Sequence, residues 1–160
     1  MSLTGIWTNE LRSKMLIREH ADHSITGIYH SIVGRDPGFR VSTGRTNKID
    51  GSKQMVAWAV CFEVADPGAG YGHYSVCAWS GWGEKDDLGA ELIKTHWLLT
   101  VNTLQSKDNW SATHIGEDTF LKIYDDADEN LFKDLDAVKR LYAEVKERGS
   151  IAPQAKDLKP

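Results

Sequence analysis

The sequence has only two cysteines and four prolines among its 160 residues. Two cysteines cannot form the disulfide framework of a small secreted domain, and their spacing does not match a zinc site. No apolar run approaches the roughly 20 residues needed to cross a bilayer, so we expect a soluble chain without a membrane partner. Acidic residues (23) outnumber basic ones (19), which argues against nucleic acid as a partner.

Motifs for catalysis are missing as well. The sequence has no nucleophile elbow, phosphate-binding loop or metal-binding motif, and its six histidines are scattered. His20 and His23 share a predicted turn, which makes them only a weak candidate for a metal site. We therefore expect a protein that is not an enzyme, with no catalytic residue, no cofactor and no metal.

The N-terminus does not decide where the protein is found. Its opening residues, MSLTGIW, lack the basic start and apolar stretch of a secretory signal. The localisation is left open between an intracellular protein and the mature form of a secreted one.

What the sequence does contain is six tryptophans, 14 glycines and a series of short β-type segments. These segments are rich in Val, Ile, Thr and aromatic residues, and turn residues such as DPG at 36–38 separate them. They predict eight strands, at 4–10, 13–19, 24–31, 39–45, 53–64, 72–84, 90–101 and 111–124. Because closure removes the exposed edges of a sheet, we expect an all-β fold, an eight-stranded antiparallel up-and-down β-barrel.

A short repeat places Thr or Ser directly before a glycine in four of the predicted strands, at Gly5, Gly27, Gly44 and Gly81. A glycine inside a strand permits a tight bend or a close approach of two backbones at a barrel corner. The alternative explanation is coincidence in a chain rich in Gly and Thr.

The composition changes after the last predicted strand, and residues 125–148 are predicted to be helical. Acidic residues crowd the first turn, basic residues lie in the last, and Gly149 can adopt the left-handed cap. An apolar stripe at helical spacing consists of Leu131, Leu135, Val138, Leu141, Tyr142 and Val145. We expect a barrel domain at 1–124, followed by an amphipathic helix and a loose tail at 125–160. The stripe can pack on the outside of the barrel, which is favoured, mediate assembly, or dock near the mouth of a pocket.

The alternation of side chains along the strands predicts what points into the barrel. An eight-stranded barrel is either filled by its own side chains or holds one small ligand. Three groups each share a face: Trp58, Val60 and Phe62; Ser75, Cys77 and Trp79; and Thr95, Trp97 and Leu99. This face mixes aromatic rings with small polar groups, and an ordinary core avoids such groups because an unpartnered buried hydroxyl costs about 1–3 kcal/mol. The alternation also puts Cys61 on the outer face, so a disulfide with Cys77 is not expected.

Seven segments together resemble the avidin and streptavidin family. They are LTGIWTNELRSKM at 3–15, ITGIYHSIVG at 25–34, STGR at 42–45, WAVCF at 58–62, YSVCAWSG at 74–81, KTHWLLT at 94–100 and NWSATHIGEDTF at 109–120. They follow the family's order with similar spacing, and the set is specific although each segment alone is weak. The resemblance implies a barrel that binds biotin non-covalently and with high affinity in a deep pocket.

The resemblance also implies polar contacts to the cyclic urea of biotin. Its carbonyl oxygen would accept hydrogen bonds from Asn9, Ser13 and Tyr29, an arrangement of donors like that of an oxyanion hole. Its two N–H groups would donate to Asp118 and Ser31, and the charged acceptor makes the stronger bond. Taken singly, Asn9 and Ser13 fit a polar connector and Asp118 fits a surface charge. Their joint order with three tryptophan motifs favours a site.

The apolar part of biotin would lie against Trp79, Trp97 and Leu99, with Trp7 behind them, and these residues would serve as barrel core in any interpretation. Trp110 lies in a predicted loop, where a large apolar side chain is costly unless something covers it. In the family this tryptophan caps the pocket of a neighbouring subunit. The resemblance therefore implies a homo-oligomer, with a tetramer favoured over a dimer.

At the mouth of the cup, Ser75 would meet the carboxylate of biotin, and the loop at Val33, Gly34 and Arg35 would close over the ligand. Three positions depart from the family's pattern. Phe62 replaces a tryptophan, and Cys77 replaces a threonine whose hydroxyl meets the ligand's sulfur, so we expect weaker binding. Arg35 replaces a small polar residue of the loop, and its guanidinium is a candidate partner for the carboxylate.

Two other classes of function stay open from the residues alone. A barrel carrier of another small apolar ligand, like a lipocalin, would not need Asn9, Ser13, Tyr29, Ser31 and Asp118 to converge. A barrel that serves only as a scaffold for the C-terminal helix would need no pocket. Titration with biotin separates the first interpretation from both others.

Overall fold

The chain forms a closed barrel, seen in a computed structural model that describes residues 1–32, 38–48, 53–66, 71–103, 106–125 and 134–148. Its strands are β1 Gly5–Thr8, β2 Lys14–Glu19, β3 Ser24–His30, β4 Phe39–Lys48, β5 Gln54–Asp66, β6 Tyr71–Lys85, β7 Glu91–Val101 and β8 Thr113–Tyr124. Each strand pairs antiparallel with the next, and β8 pairs with β1 to close the sheet. The predicted eight-stranded antiparallel barrel is confirmed.

The first strand ends earlier than predicted because the side chain of Asn9 builds a turn. Its Oδ1 accepts a hydrogen bond from the backbone N–H of Ser13 at 2.8 Å, and its carbonyl oxygen accepts one from the N–H of Arg12 at 2.9 Å. Arg12 has a φ of 66°, in the left-handed region. Asparagine favours such turns since its side chain imitates a backbone hydrogen-bonding group. The turn holds Asn9 and Ser13 next to each other at the end of the barrel.

The last strand begins later than predicted, at Thr113, because a 3₁₀ helix at Ser106–Ser111 precedes it. The hydroxyl of Ser111 donates to the carbonyl oxygen of Asp108 at 2.9 Å within this helix. Residues 106–112 therefore precede β8 without extending it.

The C-terminal helix, α1, spans Leu135–Arg148, and Asp134 is not helical, so the prediction of one continuous helix over 125–148 is wrong at this residue. Asp134 is the N-cap: its Oδ1 accepts hydrogen bonds from the N–H groups of Asp136 at 2.9 Å and Ala137 at 3.0 Å. Residues 126–133, and with them Leu131, lie outside the described residues, as does Gly149. In the described part of the chain, no helix is long and apolar enough to cross a membrane.

Helix α1 packs on the outer face of the barrel. Val138 is fully buried and Tyr142 is 4 % exposed, and both belong to a cluster with Ile6, Leu16 and Ile28. These three barrel residues come from β1, β2 and β3 and stand opposite one another in register. The favoured packing of the helix is thus the one observed. The division of the chain into a domain at 1–124 and a segment at 125–160 stays a prediction.

The inner face carries the main core, and the N-terminal segment closes one end of it. Leu3 is fully buried, and its carbonyl oxygen accepts a hydrogen bond from the indole N–H of Trp7 at 2.8 Å. Beside it, the amide nitrogen of Gln54 donates to Glu19 at 2.8 Å and to the hydroxyl of Thr46 at 2.9 Å. Apolar packing and the two hydrogen bonds of the Gln54 amide nitrogen thus close this end of the barrel.

Two glycines of the repeat lie where neighbouring strands come very close. A Cβ atom at Gly81 would collide with the backbone carbonyl oxygen of Lys94 and lie 2.7 Å from the Cα atom of Thr95. A Cβ atom at Gly44 would collide with the backbone carbonyl oxygen of Ala57. The close backbone approach predicted from the Thr/Ser–Gly repeat is confirmed at these positions.

We expect Gly81→Ala to destabilise the chain by about 1–3 kcal/mol or more, because the backbone of β7 must move to admit a methyl group. Ser80→Ala is the matched control: Ser80 is the exposed neighbour on the same strand, and its effect should stay within about 0.5 kcal/mol. Denaturant unfolding followed by tryptophan fluorescence measures both. Equal stabilities for the two variants would show that the barrel tolerates a side chain at position 81.

Candidate binding site inside the barrel

The inner face of the barrel is sealed at one end and open to solvent at the other. At the sealed end, strand register aligns a fully buried row consisting of Gln54, Gly83, Ile93 and Phe120. At the opposite end, the aligned row of Phe62, Ser75 and Val101 is only half-buried. Since burial decreases along the same strands, the interior meets water on the side of Phe62 and Ser75.

Three tryptophans cross the middle of the barrel in one row. Trp58, Trp79 and Trp97 are register partners on β5, β6 and β7, and the row continues to Gly44 on one side and Gly116 on the other. The rings of Trp58 and Trp79 are stacked, with centroids 5.8 Å apart. A Cβ atom at Gly116 would overlap the indole of Trp97, so a glycine there leaves room for that ring.

Asp118 places a carboxylate on the inner face beside this row. It is 6 % exposed, and its Oδ2 accepts a hydrogen bond from the indole N–H of Trp79 at 2.8 Å. Burial raises the pKa of Asp118, and the negative charge of Glu10 adds to this effect. Hydrogen bonds from Trp79, Asn9 and Trp97 act in the opposite direction, since they stabilise the charged form. The site thus holds a hydrogen-bond acceptor that is kept out of water.

The hydroxyl groups of Ser13 and Tyr29 form the other half of the polar cluster. Ser13 is fully buried and hydrogen-bonded to Tyr29, and its Oγ accepts a long hydrogen bond from the N–H of Ile32 at 3.5 Å. Burial raises the pKa of Tyr29 to about 12, so its phenol remains a neutral hydrogen-bond donor at physiological pH. Through Asn9, which contacts both Ser13 and Asp118, the hydroxyl pair and the carboxylate form one network.

Aromatic and sulfur-containing side chains surround this network. The ring of Tyr29 lies 5.2 Å from Trp79 and 6.1 Å from Phe62, measured between centroids. Cys77 is buried in the same inner cluster, and Trp97 and Leu99 are half-buried against it. The arrangement combines a polar end with an apolar wall.

The structure brings together most of the residues predicted for the site. Ser31 is 6 % exposed and lies one residue beyond β3, and Ser75 is half-buried in the row at the open end. Val33, Gly34 and Arg35 lie outside the described residues. The contacts of these residues with a ligand stay predictions.

Trp110 is the exception, because it lies outside the barrel of its own chain. It is 97 % exposed and sits in the 3₁₀ helix at Ser106–Ser111 rather than in an irregular loop. It therefore lies apart from the inner polar network of its own chain.

Two neighbours of Asp118 were missed by reasoning from the sequence. The hydroxyl of Thr95 donates to the backbone carbonyl oxygen of Asp118 at 3.1 Å, across the register pair that the two residues form. The carboxylate of Glu10 accepts a hydrogen bond from the N–H of Thr119 at 3.1 Å. Finding either contact requires the strand register, which a single sequence does not contain.

Comparisons with known proteins agree with this geometry. The model of the avidin family matches residues 1–123. Avidin-related protein 4/5 of Gallus gallus is 29% identical over 126 residues, which are 76% of this chain and 78% of that protein. Avidin of Gallus gallus is 29% identical over 128 residues, again 76% and 78% of the two chains. The crystal structure of xenavidin superposes with a TM-score of 0.64 at 26% identity, over 75% of this chain and 96% of that one.

The two free cysteines differ sharply in exposure, as the alternation predicted: Cys61 is exposed and Cys77 is buried. Burial raises the pKa of Cys77 to about 12, with a smaller contribution from the charge of Asp118. Because the folded-state pKa lies above the ordinary value of 9.0, this group stabilises the fold below about pH 9. That contribution is lost as the pH rises towards 12, since the unfolded chain releases the proton first.

In a Cys61→Ser variant, we expect a thiol reagent at mildly alkaline pH to modify Cys77 at least about 100-fold more slowly in the folded chain than in denaturant, because the thiolate is the reactive form. The Cys77→Ser variant, which retains the exposed Cys61, serves as the control for reagent access. Absorbance of the released reagent group gives the rates. Equal rates in folded and denatured chains would contradict the burial of Cys77.

Proposed function

Since the chain belongs to the avidin family, we propose that it binds biotin non-covalently inside its barrel. The observation that carries the proposal is the polar network of Asn9, Ser13, Tyr29 and Asp118, each no more than 6 % exposed, beside a row of tryptophans. A barrel core does not need such a network, because desolvating polar groups opposes folding. A ligand that is a cyclic urea at one end and apolar in its middle accounts for both halves of the site.

The donors for the carbonyl oxygen of the urea come from the turn after β1 and from β3. Because the Oδ1 of Asn9 is held by the N–H of Ser13, its NH₂ group is directed away from that N–H. One N–H of this group is bonded to Asp118, and the other would donate to the ligand. The hydroxyls of Ser13 and Tyr29 bond to each other in the free chain and would exchange that bond for bonds to the ligand. Donors that are already in place cost little reorganisation when the ligand arrives.

The acceptors for the two N–H groups of the urea would be Asp118 and Ser31. The indole N–H of Trp79, 2.8 Å from Oδ2, orients Asp118 together with hydrogen bonds from Asn9 and Trp97. Because a carboxylate can accept about four hydrogen bonds, an N–H of the ligand would add to these three. A hydrogen bond to a charged acceptor contributes about 1.5–3 kcal/mol, which is more than a neutral one. We infer that this contact fixes the orientation of the urea.

The apolar wall would clasp the rest of the ligand. Trp79 and Trp97 offer ring faces on adjacent strands, with Phe62 and Leu99 towards the open end, where Ser75 would meet the carboxylate. Phe62 presents less surface than the tryptophan typical of streptavidin-like members. The thiol of Cys77 is a poor donor, so we infer weaker binding than the family's pattern would give.

Members of the avidin family are binding proteins, and we propose that this chain has no enzymatic activity either. Its polar network consists of hydrogen-bond donors and acceptors in positions that suit recognition. Tyr29, with a pKa of about 12, and the thiol of Cys77, with a similar pKa, are poor acids and bases at neutral pH.

We further propose that the chain assembles with copies of itself through the outer face of β4–β8. This face, which α1 leaves uncovered, exposes a set of apolar side chains consisting of Val41, Val76, Leu98 and Ile115. Leu98 and Ile115 are register partners on adjacent strands, so they form one patch. Trp110, 97 % exposed, would then cover the cavity of a neighbouring copy.

Titration calorimetry with biotin tests the function. We expect the chain to bind biotin and Tyr29→Phe to weaken binding about tenfold, because one hydrogen bond of about 1–1.5 kcal/mol is lost with little change of shape. Tyr74→Phe, the same change at a half-exposed residue on β6, should leave the affinity unchanged. Uptake of a fatty acid or another apolar ligand in preference to biotin would favour a lipocalin-like carrier instead.

Sedimentation analysis tests the assembly. We expect the chain to sediment as a dimer or tetramer and Leu98→Lys to shift it to a smaller species, since a charge in an apolar contact is costly to desolvate. Leu88→Lys is the matched control, because Leu88 is 94 % exposed in the turn between β6 and β7. A monomeric parent chain, or equal behaviour of the two variants, would contradict this interface.

A further inference from the structure

Helix α1 and the inner polar network contact opposite faces of one short stretch of β3. The side chains of Ile28 and His30 point outwards and that of Tyr29 points inwards, as alternation along a strand requires. Residues 28–30 therefore connect the helix to the site.

The helix holds this stretch by a specific contact as well as by packing. The hydroxyl of Tyr142, which is 4 % exposed, donates to the backbone carbonyl oxygen of Ile28 at 2.9 Å. Ile28 is the residue directly before Tyr29. Val138, fully buried one turn earlier, packs in the same cluster as the side chain of Ile28.

A stack of three rings extends the contact to the end of the strand. His30 and Phe39 are register partners, the last pair before the connection between β3 and β4. Their rings are stacked with centroids 4.3 Å apart, and Tyr142 stacks on Phe39 at 5.7 Å. The helix thus contacts the end of β3 through His30 and the start of β4 through Phe39.

We propose that helix α1 is a positioning element for the polar end of the binding site: Tyr142 holds the backbone at Ile28–His30 from outside, and this sets Tyr29 inside. The helix acts through Tyr29 and does not touch the ligand. The inference rests on the proposed function, since its readout is the affinity for biotin. In this proposal, helix α1 contributes to ligand recognition in addition to covering the apolar outer surface of β1–β3.

The contacts of Tyr29 depend closely on the position of the β3 backbone. Tyr29 is bonded to Ser13 and packed on Trp79 with a centroid distance of 5.2 Å, so a small shift of β3 alters both contacts at once. Interiors are close-packed and transmit such displacements. Residues that touch no ligand can change a binding equilibrium by about 2- to 30-fold through such a connection.

The test compares variants of the full chain by calorimetry with biotin. Tyr142→Phe removes the hydrogen bonds of the hydroxyl with the backbones of Ile28 and Leu16 and keeps the ring, and we expect it to weaken binding about 2- to 10-fold. Ala143→Ser, at the exposed neighbouring position of the same helix, is the matched control and should bind like the parent. Circular dichroism at the titration temperature verifies that each variant is folded.

A double-mutant cycle separates positioning from general stabilisation. If Tyr142 acts through Tyr29, Tyr142→Phe should have little further effect in a Tyr29→Phe background, because coupled residues are not additive. It should retain its full effect in an Asp118→Asn background, since Asp118 lies on β8. Full additivity with Tyr29→Phe, or unchanged affinity of Tyr142→Phe, would overturn the inference. Absence of biotin binding by the parent chain would instead overturn the proposed function.

Hydrogen exchange provides a readout that does not depend on the ligand. We expect the backbone amides at residues 29–31 to exchange faster in Tyr142→Phe than in Ala143→Ser, while amides of β7 remain unchanged. Faster exchange throughout the barrel would assign Tyr142 to overall stability alone, and the positioning role would then be rejected.

Discussion

The pairing of β1 with β8 is the contact on which the rest of the molecule depends. It aligns Thr8 with Leu121, and so carries the turn at Asn9 to the side of Asp118, although more than a hundred positions separate the two in sequence. The hydrogen bond from Thr119 to Glu10 spans the same junction at 3.1 Å. Without closure the sheet would keep two exposed edges, and the polar groups of its first and last strands would not meet.

Closure also explains how a carboxylate can be held out of water. Asp118 is surrounded by the N–H groups of Trp79, Trp97 and Asn9, which come from β6, β7 and the turn after β1. Burial opposes the charge and these donors favour it, so the network is satisfied only when the barrel is complete. A site built in this way is rigid, because each member is held by groups on other strands.

The outer face of the barrel has two apolar regions, one covered by helix α1 and one exposed. Helix α1 covers the apolar row of Ile6, Leu16 and Ile28 on β1–β3, whereas Leu98 and Ile115 on β7 and β8 stay exposed. The covered part lies directly behind Tyr29, which links the helix to the interior. The uncovered part is the one available for contact with another copy.

The sequence by itself determined the number of strands, their alternation and the glycines that let β6 and β7 approach, because these depend on residues close together in the chain. The resemblance of its motifs indicated the network of Asn9, Ser13, Tyr29 and Asp118. Tertiary structure alone decided the contacts of Thr95 and Glu10 with their partners, the exposure of Trp110, and the docking of Tyr142 behind β3. The start of α1 at Leu135 follows from a cap at Asp134 that several acidic neighbours concealed. These features depend on strand register and on which of several similar acidic side chains becomes the N-cap. The local sequence pattern determines neither of them.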